Sequence, residues 1–322
     1  MADKTDIQNA ILRCDKILAG RNPYYQRLSK IGKIKFLRRL VRFMEEKRWT
    51  GQRGIQVTGE MKVLISGTAI QLTFGLKNFN LHHFHTINVW PDKYESKVAP
   101  GEIHLGSATK TGVINLSWNY YQMGYAIPND RINLGLHEMA HALEINYLFG
   151  ADFDVYFACF IDLWEQKRRE ESHKLAVGEN TFLRAYGGNN PREFFAVCVE
   201  AFFETPAELR SAMPETFIFL CMILNQNPEN VLSDYAFHNS LKGKIPISPD
   251  QLKKYNSLKK ENRHLYDQYY LSQRGQISLL MVLATLALLF LPIFTGLPVF
   301  LVAALASYLA FRAVKQDESK GK

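Results

Sequence analysis

The chain has 322 residues, 47% hydrophobic and 22% charged, which is the composition of a folded globular protein. It is long enough for one large domain or two small ones, and it holds no internal repeat and no low-complexity tract. The formal net charge of +8 is moderate, and no aromatic-rich RNA motif or zinc finger accompanies it, so nucleic-acid binding is not expected.

Residues 1–50 alternate polar and apolar positions at helical period and predict an N-terminal helical, basic segment packed on the domain after it. Basic residues cluster between Lys30 and Arg53, interleaved with Ile34, Phe36, Leu37, Leu40, Val41 and Phe43. That pattern predicts an amphipathic helix with a solvated basic face. The N-terminus lacks the apolar stretch of a signal peptide, which predicts a cytoplasmic catalytic part. Cys14, Cys159, Cys198 and Cys221 lie far apart in apolar surroundings and read as buried free thiols, in keeping with a reducing compartment.

Residues 51–120 carry strand signals. Ile55-Gln56-Val57, His85–Trp90 and Val113–Trp118 are short, rich in β-branched and aromatic residues, and bounded by Gly, Pro or Asn. The edge of the last one is a candidate to pair with an extended peptide. His82, His83 and His85 form a local cluster, with no carboxylate or cysteine beside them to complete a metal site. From Asn133 to about Tyr270 the pattern is mostly helical.

Two uncharged apolar runs close the chain, residues 277–294 and 297–311, with Thr295 and Gly296 between them. As helices they are about 27 Å and about 22 Å long, short against a bilayer core of about 30 Å. Arg274 precedes them, and Arg312, Lys315, Lys320 and Lys322 come after. Positive charge at both ends predicts a membrane hairpin over 275–312 with both ends cytoplasmic, hence a membrane-associated protein. The alternative is a helical hairpin buried in a soluble domain.

The segment Asn133-Leu-Gly-Leu-His137-Glu138-Met-Ala-His141 contains H-E-x-x-H. On a helix, positions i and i+4 share a face, so His137 and His141 reach one metal ion, and Glu138 between them can take a proton from metal-bound water. Asn133 suits the N-cap. Chance gives such a motif about 0.02 times in this composition, so it is suggestive and needs a third ligand. Downstream, Pro191 suits a first helical turn, and Glu193, Glu200 and Glu204 recur on one face of an otherwise apolar helix. Carboxylates there are costly to bury unless paired or metal-bound. Two histidines and one glutamate leave a fourth position for water, the arrangement of a catalytic zinc.

These residues resemble those of the Mlc titration factor A family of zinc-dependent peptidases. The likeness runs from about Leu28 to Glu208. It includes Gly54-Ile-Gln-Val-Thr-Gly-Glu-Met, the stretch His85–Trp90 with Pro91 after it, Gly112-Val-Ile-Asn-Leu-Ser-Trp118, the helix around His137, and Tyr186 through Phe203. The resemblance implies an α+β, zincin-like catalytic domain of the gluzincin kind over 51–270, mostly helical with a small sheet. It implies Glu193 as third zinc ligand, seven residues after Tyr186, and Tyr186 as a stabiliser of the transition state. Glu200 and Glu144 are candidates to orient the ligand histidines, or are surface carboxylates. The chain departs from the family at Glu144, where aspartate is expected, and in its apolar tail.

The function so implied is zinc-dependent hydrolysis of peptide or protein substrates. A rival is a regulatory binding protein that sequesters a partner and carries a structural or vestigial zinc site. The presence of Glu138 and Tyr186 argues against it, because a structural site needs neither. A small-molecule hydrolase would keep the same site.

Overall fold

A computed structural model describes residues 4–95, 101–150, 152–237 and part of 249–263. The chain divides into a unit of residues 1–259 and a unit of residues 260–322, nearly all of the latter outside the described residues. The larger unit opens with three helices, α1 (Lys4–Arg21), α2 (Pro23–Gln26) and α3 (Lys30–Glu46). Asn22 caps α2 and Ser29 caps α3, each side chain accepting a backbone N–H three residues on. Helix α3 turns Phe36, Leu40 and Phe43 into the core and leaves Lys30, Arg38 and Arg42 outside it, as its period predicts. Ile34, counted on the apolar face, is exposed instead.

The next stretch departs from expectation. Strand β1 is Arg48–Gly51, while Ile55-Gln56-Val57 is irregular, because the chain turns at Arg53 and Gly54, both at positive φ. Helix α4 (Gly59–Thr73) then replaces the anticipated continuation of strands. Its buried residues include Met61, Leu64, Ile65, Ala69, Ile70 and Leu72, and they lie on every side. A helix packed all round shows no 3.6-residue alternation, so periodicity cannot reveal it. It lies against α1 and α3.

Strands β2 (Thr86–Trp90), β3 (Tyr94–Glu95), β4 (Ile103–His104), β5 (Gly106–Ala108) and β6 (Val113–Ser117) come next. The main sheet has the order β1-β2-β6-β5. The first three are mutually parallel and β5 runs antiparallel to β6. The stretch Val113–Trp118 thus forms an interior strand over Val113–Ser117 and not an edge; the edges are β1 and β5. A separate pair, β3 with β4, is antiparallel.

Helix α5 (Trp118–Ala126) follows, and α6 (Leu134–Phe149), α7 (Val155–Ala176), α8 (Pro191–Glu204), α9 (Pro206–Ala212) and α10 (Pro214–Leu224) come after it, those five as the helical reading from Asn133 onward anticipates. Helix α6 packs on α4, on β5 and on α8. Cys14, Cys198 and Cys221 are free and buried. The architecture is α+β, mostly helical with a small mixed sheet.

The anticipated membrane association does not stand. No helix among the described residues is long and apolar enough to cross a membrane. The runs 277–294 and 297–311, on which the hairpin and the membrane-associated location rested, lie outside the described residues.

Phe36 is fully buried and packs edge-on to Tyr25, with Tyr24 and Phe74 also in ring contact. Phe36→Ala should lower unfolding free energy by about 3–5 kcal/mol, read as a shifted urea midpoint at constant slope. A change under about 1 kcal/mol would show that α3 is not integral to the core.

Candidate metal centre

The centre is built on two helices. Helix α6 starts at Asn133, whose side chain accepts from the Leu136 backbone N–H. Leu136, Met139, Ala140, Leu143 and Ile145 bury it in the core and fix its rotation. That rotation turns His137 and His141, one helical turn apart, toward α8. Helix α8 starts at Asn190, which accepts from the backbone of both Arg192 and Glu193, with Pro191 in the first turn. Glu193 therefore stands at the mouth of α8, while Phe194, Phe195, Val197 and Cys198 anchor the helix behind it.

The three side chains converge. His137, His141 and Glu193 each offer one ligand atom, all within 4.8 Å of one another. The two Nε2 atoms are 3.2 Å apart, and a Glu193 carboxylate oxygen lies 3.1 Å from the first and 3.5 Å from the second. This is the one such group of three or more metal-ligating side chains among the described residues. Burial opposes charge on His137, but hydrogen bonds to Glu193 and Glu200 prevail and carry its pKa up to about 10. Burial likewise opposes charge on Glu193, and the two imidazoles overcome it and hold the carboxyl well below the usual range.

Glu200 lies beneath. It is 1% exposed, and one carboxylate oxygen accepts from His137 Nδ1 at 2.8 Å. This leaves Nε2 of His137 to face its neighbours. The same carboxylate accepts from the Asn133 backbone N–H and from the Arg184 guanidinium. Glu204, one turn on, accepts from the Asn133 side chain and the Arg131 backbone. Burial pushes its carboxyl up to about 7.

Glu138, next to His137 in the chain, turns toward β5. It is 5% exposed, and its Oε2 is buried without a hydrogen-bond partner. Burial pushes its carboxyl above the usual range, while His137 and His141 pull it back. It packs against β5 where Gly106 has no side chain: a Cβ there would lie 2.6 Å from Glu138 Cγ. Tyr186 sits in a short 3₁₀ turn, Ala185–Gly188, just before α8. It is 48% exposed, and its ring centre is 6.0 Å from that of His137. Burial first, then the Glu193 carboxylate, raises its hydroxyl pKa.

Glu144 is buried one turn beyond His141, whose charge acts on it. It is ion-paired to Arg168 of α7, and that guanidinium also binds Glu165. Burial carries its carboxyl up to about 7 even so. The remaining histidines of the sequence cluster stay apart from the centre. His82 stands between Glu46 and Asp152, His83 Nε2 meets the Lys110 carbonyl, and His85 Nδ1 meets the Thr86 hydroxyl. Arg184 and Gly106 escape a reading by spacing, because neither belongs to a local motif.

A family model described as glucose-regulated metallo-peptidase M90 matches residues 4–223. The chain belongs to this family. Among its relatives is the uncharacterized protein slr2042 of Synechocystis sp., 27% identical over 218 residues, which cover 60% of this chain and 76% of the relative. Mlc titration factor A of Yersinia pestis is 24% identical over 215 residues, 59% of this chain and 79% of the relative, and that of Yersinia pseudotuberculosis is equally similar. The matched region contains the whole His137, His141 and Glu193 constellation, and metallopeptidase chemistry is what the M90 family name implies for it.

The geometry sets two expectations. Gly106→Ala should destabilise by about 1–3 kcal/mol through its clash with Glu138, whereas Gly59→Ala, with nothing within 4 Å, should not; equal effects in chemical denaturation would refute the contact. In chelator-treated protein, the folded pKa of about 10 for His137 lies above its unfolded value of about 6.5. The stability it contributes is full below about pH 6.5 and lost as pH rises through about 10. Urea midpoints should fall between pH 7 and 10 more steeply in wild type than in His137→Gln.

Proposed function

We propose that the chain is a zinc-dependent peptidase of zincin-like design, with His137, His141 and Glu193 as ligands and Glu138 as the general base. The observation that carries this reading is Glu138 itself. A buried carboxylate oxygen with no hydrogen-bond partner belongs to the residue next to His137, and that carboxyl feels the charges of His137, His141 and Glu193. A structural metal site has no use for such a group. The donor set fits as well: two imidazole nitrogens and one carboxylate oxygen suit zinc and leave an open position, as catalytic zinc sites do.

Zinc, when bound, supplies a Lewis acid that acidifies water and polarises a carbonyl. Glu138 accepts the proton of the attacking water and delivers it to the leaving amine. The Tyr186 hydroxyl, half-exposed at the rim, donates to the developing oxyanion. Glu200 accepts from Nδ1 of His137 and so fixes its tautomer and tilt.

Strand β5 supports a peptide as substrate. It ends the sheet and packs on α6 beside Glu138. An extended chain laid along that edge through strand pairing would present its carbonyl to the water that Glu138 deprotonates. The name of the Yersinia relatives, Mlc titration factor A, adds support for a regulatory protein as a further partner.

Glu138→Gln is nearly isosteric and should keep both the fold and bound zinc while peptide cleavage falls about 10²–10⁴-fold. Tyr186→Phe should lower kcat by about 10²-fold with KM nearly unchanged. Elemental analysis and steady-state kinetics on a fluorogenic peptide check both. Undiminished turnover in Glu138→Gln would remove the glutamate from the chemistry and the peptidase reading with it.

A further inference from the structure

We infer that Arg184 is a positioning residue of the centre, tying the turn that carries Tyr186 to the carboxylate that orients His137. The inference rests on the metallopeptidase reading of the same site.

Arg184 is the residue just before the 3₁₀ turn Ala185–Gly188, and its carbonyl accepts from the Gly187 N–H to close that turn. Its side chain leaves the turn and binds the Glu200 carboxylate on α8. The oxygen it binds is Oε1, the same atom that accepts from His137 Nδ1. One oxygen thus receives a guanidinium N–H from one side and an imidazole N–H from the other. The second oxygen is held by the Asn133 N–H at the start of α6.

Glu200 is 1% exposed, so water does not help to hold it. Of its three partners, Arg184 is the one with a permanent charge. Removing the guanidinium leaves a buried carboxylate with two partners and room to turn about its own axis. Each degree of that turn moves Nδ1 of His137 and swings Nε2 away from His141 and Glu193. Tyr186, two residues along from Arg184, loses the tether that sets its turn against α8. Arg184 binds the carboxylate of Glu200, and its effect on the three ligand side chains passes through that carboxylate.

The test uses the full chain and zinc alone as probe, with affinity measured by competition against a chromogenic chelator. Arg184→Met should weaken zinc binding by about 10–100-fold, and Arg184→Lys should recover part of the loss. In a Glu200→Gln background, Arg184→Met should add less than about twofold, because its effect runs through that carboxylate. On a fluorogenic peptide, kcat should fall with KM held within about threefold. Thermal melting monitors the fold; if Arg184→Met melts below the assay temperature, Arg184→Gln carries the same comparison. Zinc affinity within twofold of wild type in the uncharged variant, or a full additive loss on top of Glu200→Gln, overturns the inference. Wild type that binds no zinc at all would instead overturn the metallopeptidase reading, and the inference with it.

Discussion

Everything at the centre depends on one contact, the packing of α6 on α8. His137 and His141 belong to the first helix and Glu193 to the second, and their ligand atoms meet within 4.8 Å only if both helices hold a fixed rotation and offset. Apolar burial supplies the rotation. Leu136, Met139, Ala140 and Leu143 fill one side of α6, and Phe194, Phe195, Val197, Cys198 and Phe202 fill α8. The offset comes from polar groups. Asn190 sets where α8 begins, Asn133 sets where α6 begins, and Glu200 ties the start of α6 to the middle of α8. A slip of one residue along either helix would rotate its ligands about 100° away from the others.

The polar layer beneath His137 answers a difficulty that a buried histidine pair creates. The second ring nitrogen of His137 needs a partner, and the group that supplies one is buried and charged. Glu200 serves both His137 and the backbone at Asn133, and Glu204 fills in behind Asn133 and Arg131. Arg131 is held at φ +62, a conformation that side chains other than glycine seldom adopt. Its backbone N–H binds Glu204, and its guanidinium lies over Phe182 and donates to the Phe182 carbonyl. Those contacts offset the backbone strain and place the N-cap of α6 where Glu200 can reach it.

Local periodicity explains which parts of the site were legible in the sequence. His137, Glu138 and His141 lie on one helix, where spacing alone places side chains on a face. Glu193 required a resemblance to single it out from Glu200 and Glu204, because all three share the inner side of α8. The structure separates them by depth: Glu193 in the first turn meets the imidazole Nε2 atoms, Glu200 two turns on meets Nδ1, and Glu204 meets the start of α6. Glu144 shows the opposite limit. One turn after His141 by number, it faces α7 and pairs with Arg168, a partner 24 positions away that no spacing rule connects to it. Helix α4 was hidden for a different reason, since burial on all sides erases the alternation that reveals a helix.

The sheet was only half legible, and the missing half bears on chemistry. Thr86–Trp90 and Val113–Ser117 have the apolar, β-branched content of buried strands, and they are the sheet's interior. Strand β5, Gly106-Ser-Ala108, has no such content, because it is an edge with small side chains. Small side chains are what its position demands. Gly106 lets the backbone approach Glu138 more closely than any Cβ allows, and Ser107 turns its hydroxyl back to Asn115 and Tyr94. A larger, more strand-like residue at 106 would have made the strand easier to recognise and would have met the Glu138 side chain, so that one of the two had to shift. The weak strand signal and the close approach to Glu138 therefore have one cause: the residue that disguises the edge is the residue that leaves room for Glu138 against it.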